Sequence, residues 1–305
     1  MDHKIIAMSF GQVIVGPPGS GKTTYCRGMQ EFLRTLGRNV SVVNLDPANV
    51  NLEYDCCADI SELIKVHDVM EELDLGPNGA MVYCLEFLET NIDWLIGVLR
   101  TQLSLAPFSY LIFDLPGQIE LSTHHESVRN VMRILQKKLD LRLTAVNLVD
   151  AHHCTDPSKY ISAVFLSLST MLRLELPHVN VLSKIDLIES QGSLHFNLDF
   201  YTDVMDLNYL IPLLPNASKS DETIQRPMTK FEEKFQKLNV AITDLIENYS
   251  LVAFKTLNIQ DKASVAALVK QIDKSNGFSE VIGAQEYLQS DEYDIQDIQE
   301  KYMNN

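Results

Sequence analysis

Basic residues are scarce in this sequence. Lys and Arg number 25 against 41 Asp and Glu, a formal net charge of −16 over 305 residues. Such a chain is a poor candidate for holding nucleic acid across its general surface, because that binding rests on phosphate neutralisation by Lys and Arg. Any polyanion it does bind needs a locally positive site. Cysteine is sparse too. The five present, Cys26, Cys56, Cys57, Cys84 and Cys154, are an odd number with no CxxC pair, which argues against a disulfide framework and points to a reduced, intracellular chain. No uncharged run of about 20 apolar residues occurs, so no membrane span is expected. The apolar opening around Ile5 to Val15 runs straight into Gly16-Pro17-Pro18-Gly19 and reads as a first strand rather than a secretory leader. Internal repeats and low-complexity tracts are absent, and the pairs His124-His125 and His152-His153 lack metal-ligand spacing.

What is present is an ordinary globular balance, 46% apolar and 22% charged, in a chain long enough to bury a core without staples. Short apolar runs at Gly11–Val15, Val40–Leu45, Tyr110–Phe113, Leu143–Val149, Val179–Leu182 and Leu251–Phe254 read as strands. Between them lie helical patterns. Tyr25, Met29, Phe32, Leu33 and Leu36 share one face before Gly37, and Ile161, Val164, Phe165, Leu168 and Leu172 form another stripe. Helices are expected over about Asp59–Leu75 and Ala80–Gln102, separated by Gly76-Pro77-Asn78-Gly79. Strands alternating with helices predict an α/β fold: a doubly wound, mostly parallel sheet with helices on both faces, binding its ligand beyond the carboxyl ends of the strands. The expected organisation is one domain over residues 1–278, with an aromatic and proline-rich helical insertion at 190–227, and an acidic tail at 279–305.

The motifs carry the chemistry. Gly16-Pro17-Pro18-Gly19-Ser20-Gly21-Lys22-Thr23 satisfies GxxxxGK[ST] between a strand and a helix, the setting in which backbone N–H groups cradle phosphates. Lys22 is placed to reach the outer phosphates and the Thr23 hydroxyl to ligate Mg²⁺, with Thr24 counted among the nucleotide contacts. This resolves the charge problem, since loop and metal supply the positive field. Asp114-Leu115-Pro116-Gly117-Gln118 follows a strand. Asp114 is a candidate for a Mg²⁺-bound water, Gly117 for an N–H to the terminal phosphate, and Gln118 for orienting the attacking water. Ser183-Lys184-Ile185-Asp186 has the form of the guanine-reading [NST]KxD element. Its carboxylate would accept from the ring imino and exocyclic amino groups of guanine, while adenine would leave it unpaired; the aliphatic stem of Lys184 would lie on the base. Asp46 closes the second strand, where it could bond a metal-bound water or act as base for the nucleophile. Glu120 is a candidate for supporting the water network.

Taken in order, Gly16–Thr23, Asn44-Leu45-Asp46-Pro47-Ala48-Asn49, Gly76-Pro77-Asn78, Asp114–Gln118 and Ser183–Asp186 resemble the GPN-loop GTPases over about Gly11 to Asn276. Leu176-Pro177-His178-Val179-Asn180 and Asn258-Ile259-Gln260-Asp261-Lys262 look most like its second eukaryotic branch. The resemblance implies a P-loop fold of the signal-recognition-particle-like class, with GTP and GDP as substrate and product and Mg²⁺ as cofactor. It also implies a homodimer, or a heterodimer with another GPN-loop GTPase, in which Asn78 of one subunit approaches the phosphate region of the other. It further implies clients among RNA polymerase II, and by extension III, subunits or their assembly factors, in the cytoplasm with shuttling to the nucleus and with no direct nucleic-acid or membrane contact. Two departures stand out. Ser183 replaces the commoner Asn, and the last guanine-contacting loop falls at Leu257-Asn258 without the usual Ser-Ala. No arginine finger is evident. Two other functions compete with a slow GTPase: a nucleotide-dependent scaffold in which hydrolysis is incidental, and a small-substrate kinase, which Gln118 and Asp186 argue against.

Overall fold

A computed structural model of the chain describes residues 9–49, 52–104, 109–118, 125–214 and 230–279. Among them, β1 (Ser9–Val15), β2 (Val40–Asn44), β3 (Cys56–Asp59), β4 (Tyr110–Asp114), β5 (Leu141–Asp150), β6 (His178–Ser183) and β7 (Phe254–Thr256) form one sheet. Its order is β3-β2-β4-β1-β5-β6-β7 and every pairing is parallel. The helices among the described residues are α1 (Lys22–Thr35), α2 (Val66–Leu73), α3 (Pro77–Thr90), α4 (Ile92–Leu103), α5 (Ser127–Leu139), α6 (Pro157–Leu174), α7 (Ile188–Gln191), α8 (Leu198–Asp203), α9 (Lys230–Tyr249) and α10 (Lys262–Asn276).

Strand side chains alternate between faces, and the central strands are apolar on both. Val13, Val15, Leu111, Phe113 and Leu143 pack against α3, α4 and α5 through Leu85, Leu88, Leu99, Val131 and Leu135. Phe10, Ile14, Tyr110, Ile112 and Val146 face the other way, against Tyr25, Met29 and Leu33 of α1 and Leu268 and Ile272 of α10. A third cluster joins β5 and β6 to the segment after β6 through Tyr160, Val164, Tyr201, Leu210 and Ile246. The sheet is therefore covered on both sides, as the run of apolar strands requires.

Four expectations change. β3 was not anticipated, because Cys-Cys-Ala-Asp has no apolar run and this edge strand buries only Ala58 fully. The helix expected over Asp59–Leu75 is a 3₁₀ turn, Ile60–Glu62, capped by the Asp59 side chain, followed by α2. The helix expected from Ala80 to Gln102 begins at Pro77, which occupies the first helical turn where its missing N–H costs nothing, and it is divided at Asn91 into α3 and α4. The last strand is Phe254–Thr256 rather than Leu251–Phe254; Leu251 is exposed. Of the 190–227 region, the described part carries α8 and a 3₁₀ segment, Leu207–Leu213. Its expected loop around Asn216–Asp221, Glu120, and all of the acidic tail from residue 280 lie outside the described residues.

Candidate active site

The phosphate loop leaves the carboxyl end of β1 and turns into α1. Gly16 has φ +145°, and a Cβ there would stand 2.4 Å from the Leu148 carbonyl oxygen, so only glycine lets the loop pass β5. Lys22 is the first residue of α1 and is buried. Its ammonium donates to the carbonyls of Gly16 at 3.1 Å and Pro17 at 3.2 Å. Burial lowers its pKa, against the raising effect of Asp114 and Asp46. The Ser20 hydroxyl is buried with no partner among the described residues, an orphan that a phosphate oxygen would satisfy. Thr24, in the first turn of α1, is exposed.

Asp114 ends β4 and is 1% exposed. Its Oδ2 accepts from Tyr54 Oη at 2.8 Å and Thr23 Oγ1 at 3.3 Å. Burial pushes its pKa up to about 6, opposed by the Tyr54 hydrogen bond and the Lys22 charge and reinforced by Asp46. Asp46 is also raised by burial. Buried Asn44 pins it: Asn44 Oδ1 accepts from the Asp46 N–H at 3.2 Å while Nδ2 donates to the Asp46 carbonyl at 3.2 Å and to Asp59 Oδ1 at 3.0 Å. Asn49 Nδ2 reaches Thr23 Oγ1 at 3.4 Å. A hydroxyl and two carboxylates beside a phosphate cradle suit a cation that keeps most of its waters and takes one or two carboxylates plus phosphate oxygens, which is the habit of Mg²⁺. Thr23, Asp46 and Asp114 are the residues available to hold it.

Gly117 closes over the cradle; a Cβ there would lie 2.8 Å from Lys22 Nζ and 3.2 Å from Pro18 Cα. Beside it, Gln118 Nε2 donates to Asn78 Oδ1 at 2.9 Å. Forty positions apart, the Gly76-Pro77-Asn78 helix start and the Asp114–Gln118 segment thus meet within a single chain.

The base-reading element follows β6. Ser183 Oγ donates to the carbonyls of Ser20 at 2.8 Å and Val149 at 3.2 Å, so Ser183 does tie the base loop to the phosphate loop. Lys184 Nζ donates to the Gly19 carbonyl at 2.5 Å and pairs with Asp150 at 2.8 Å. Asp186 sits exposed in the 3₁₀ turn Ile185–Leu187, at the mouth of an open cleft lined also by Ile188, Ser193, Leu194 and Leu198. The Leu257 carbonyl accepts from the Ile185 N–H at 3.4 Å, which brings the Leu257-Asn258 loop against it. Asn258 itself is tied to its own loop, donating its N–H to Ser264 Oγ at 3.1 Å.

A family described as "Conserved hypothetical ATP binding protein" matches residues 14–278. The GPN-loop GTPase QQT1 of Arabidopsis thaliana is 57% identical over 271 residues, 89% of this chain and 86% of its own length. GPN-loop GTPase 2 of Danio rerio is 54% identical over 272 residues, 89% of this chain and 82% of its own. The chain belongs to the GPN-loop GTPase family. It is accordingly a GTP-binding, GTP-hydrolysing enzyme. An apo-form GTPase from Pyrococcus abyssi shares the fold, with a TM-score of 0.64 at 24% identity over 87% of this chain and 98% of that one.

The phosphate loop, Asp46, Asp114 and the Ser183–Asp186 element that the sequence singles out lie at one end of the sheet. Tyr54 and Asp150, which bond to them, were not singled out, and Asn44 was quoted only as part of the Asn44–Asn49 motif. Tyr54 carries no local signal, since it lies in an irregular stretch before an edge strand. Asp150 did carry one: like Asp114, it is an acid closing an apolar strand.

Proposed function

We propose that this chain is a Mg²⁺-dependent GTPase switch that works as a dimer, either with itself or with another GPN-loop GTPase. Thr23, Asp46 and Asp114 would hold the metal through its waters. Asp46 and Gln118 place the nucleophilic water and Lys22 offsets charge on the terminal phosphate; a bound Mg²⁺ would supply further charge compensation there. The dimer reading follows the family resemblance; within the single chain Asn78 already meets Gln118 of its own subunit at 2.9 Å, which sets both at one patch of the surface. Both side chains are near the surface beside the cradle. In a two-fold contact centred there, each chain presents the same patch to the other, so the Asn78 of one subunit meets the catalytic segment of the next. Following the family resemblance, we assign its clients to RNA polymerase II and III subunits or their assembly factors, met in the cytoplasm with passage to the nucleus. Nucleic acid and membrane are not among its partners in this reading.

Asn78→Ala is expected to lower turnover roughly tenfold, about 1.4 kcal/mol, with GTP affinity nearly preserved. In mixed dimers the defect should appear in the subunit that faces the altered loop. An unaltered rate in a confirmed dimer removes the trans role and leaves Gly76-Pro77-Asn78 as a helix start only. For the clients, polymerase subunits should co-purify with the intact chain and not with Lys22→Ala; equal recovery contradicts a nucleotide-dependent role.

A further inference from the structure

Asp150 closes β5, and each of its carboxylate oxygens has its own task. Oδ1 accepts the His152 N–H at 2.9 Å and caps the 3₁₀ turn Ala151–Thr155. Oδ2 accepts from Lys184 Nζ at 2.8 Å. The side chains are 20% and 35% exposed, so this pair is more sheltered from solvent screening than the Arg27–Glu53 and Arg34–Asp55 pairs on the surface. Burial pushes the Asp150 carboxyl up, but the hydrogen bonds from Lys184 and His152 and the Lys184 charge bring it below the usual carboxylate value. It is ionised at neutral pH.

The backbone of Lys184 is held in the left-handed region at φ 57°, an unfavourable place for a side chain of this type. That residue starts the turn Ile185–Leu187 on which Asp186 rides. Among the described residues its long, flexible side chain is fixed at the far end by two groups, Asp150 and the Gly19 carbonyl. Lys184 thereby spans from the base loop to the phosphate loop, with Asp150 as its ionic partner among the described residues.

We propose that Asp150 is a positioning residue for guanine binding: it anchors the Lys184 ammonium between β5 and the phosphate loop, so that the Lys184 stem and Asp186 are set for the base before nucleotide arrives. The proposal rests on the assignment of Ser183–Asp186 as the base-reading loop. Preorganisation of this kind strengthens binding by removing an ordering cost that the ligand would otherwise meet. It acts mainly on release rather than on encounter.

The test is release of fluorescent GDP from the full chain in Mg²⁺, followed by stopped flow. Asp150→Asn keeps an oxygen for the His152 cap but turns an amide toward the ammonium, and release should accelerate roughly tenfold, the scale of one charge-assisted hydrogen bond. Asp150→Ser, which also caps a turn but cannot reach Lys184, should behave alike. Lys184→Met should accelerate release by itself, and adding Asp150→Asn to it should change nothing more. Asp186→Asn, the control on the base loop, should lose preference for GTP over ATP. Wild-type release from Asp150→Asn and Asp150→Ser, with Asp186→Asn defective, overturns the positioning role alone. An equal acceleration by Asp150→Asn in the Lys184→Met background shows action through the 151–155 turn and also overturns it. Full GTP preference in Asp186→Asn overturns the base-loop assignment and the proposal with it.

Discussion

At the scale of single residues, burial and hydrogen bonding decide which carboxylates and imidazoles are available for chemistry. Asp114 is almost wholly buried, yet two hydroxyls, Tyr54 Oη and Thr23 Oγ1, converge on one of its oxygens. Such donors favour the charged form against the desolvation that opposes it. His178 shows the reverse case. It begins β6 at the end of the sheet away from the nucleotide, and both its ring nitrogens are buried without a partner among the described residues. Burial lowers its pKa to about 4. A depressed folded pKa means that the unfolded chain binds the proton more readily. The stability is then complete above the ordinary His value near 6.5 and is lost as pH falls toward about 4. The expected loss is on the order of 2–3 kcal/mol over that window. His178→Phe should flatten that part of the stability profile in urea melts at pH 4.5 to 7. An unchanged slope would mean that His178 is solvated or paired.

At the scale of elements, a buried ion pair and an aromatic ring reinforce the apolar packing of α10 on the sheet. Arg38, in the connection from α1 to β2, donates from Nη1 to Asp273 Oδ1 at 3.0 Å and from Nη2 to Oδ2 at 2.6 Å. Asp273 is fully buried and Arg38 13% exposed. The guanidinium also lies 4.1 Å from the centre of the Phe278 ring, which packs edge-on against Phe10. Removing one member strands a buried charge, so Asp273→Ala should cost about 3–5 kcal/mol. Arg38→Met with Asp273→Leu should recover most of that loss in chemical denaturation. A cost below about 1 kcal/mol for the single variant would place the pair among weak surface bridges. Most elements were legible in sequence where burial was complete: the apolar runs in β1, β2, β4, β5 and β6 and the buried positions of two stripes, Tyr25, Met29 and Leu33 in α1 and Ile161, Val164 and Leu168 in α6. Leu36, Phe165 and Leu172 of those stripes are exposed. Legibility failed at the edges. β3 is half-exposed and so lacks an apolar run, and the break at Asn91 leaves the apolar pattern uninterrupted because Asn91 satisfies itself on the Phe87 carbonyl through Nδ2 at 2.9 Å.

At the scale of the whole molecule, an acidic chain holds a polyanion by gathering every nucleotide motif at one rim of its sheet. The loops after β1, β2, β4, β5 and β6 all reach that rim, and Ser183 and Lys184 lace the base loop to the phosphate loop. The motifs themselves were readable because each needs particular residues at fixed spacing. Tyr54 was hidden because only the folded chain brings it onto Asp114, whereas Asp150 carried a strand-end signal and Asn44 lay inside a motif without its role being visible. The central claim is that this rim selects guanine, although the matching family is described as ATP-binding. Calorimetric titration with GTP and with ATP tests it most directly, with Lys22→Ala, which should bind neither triphosphate, as the blank. An unpaired carboxylate at Asp186 should disfavour ATP by at least ~100-fold, and Asp186→Asn should erase most of that preference. Equal affinity of the unaltered chain for GTP and ATP would contradict the claim.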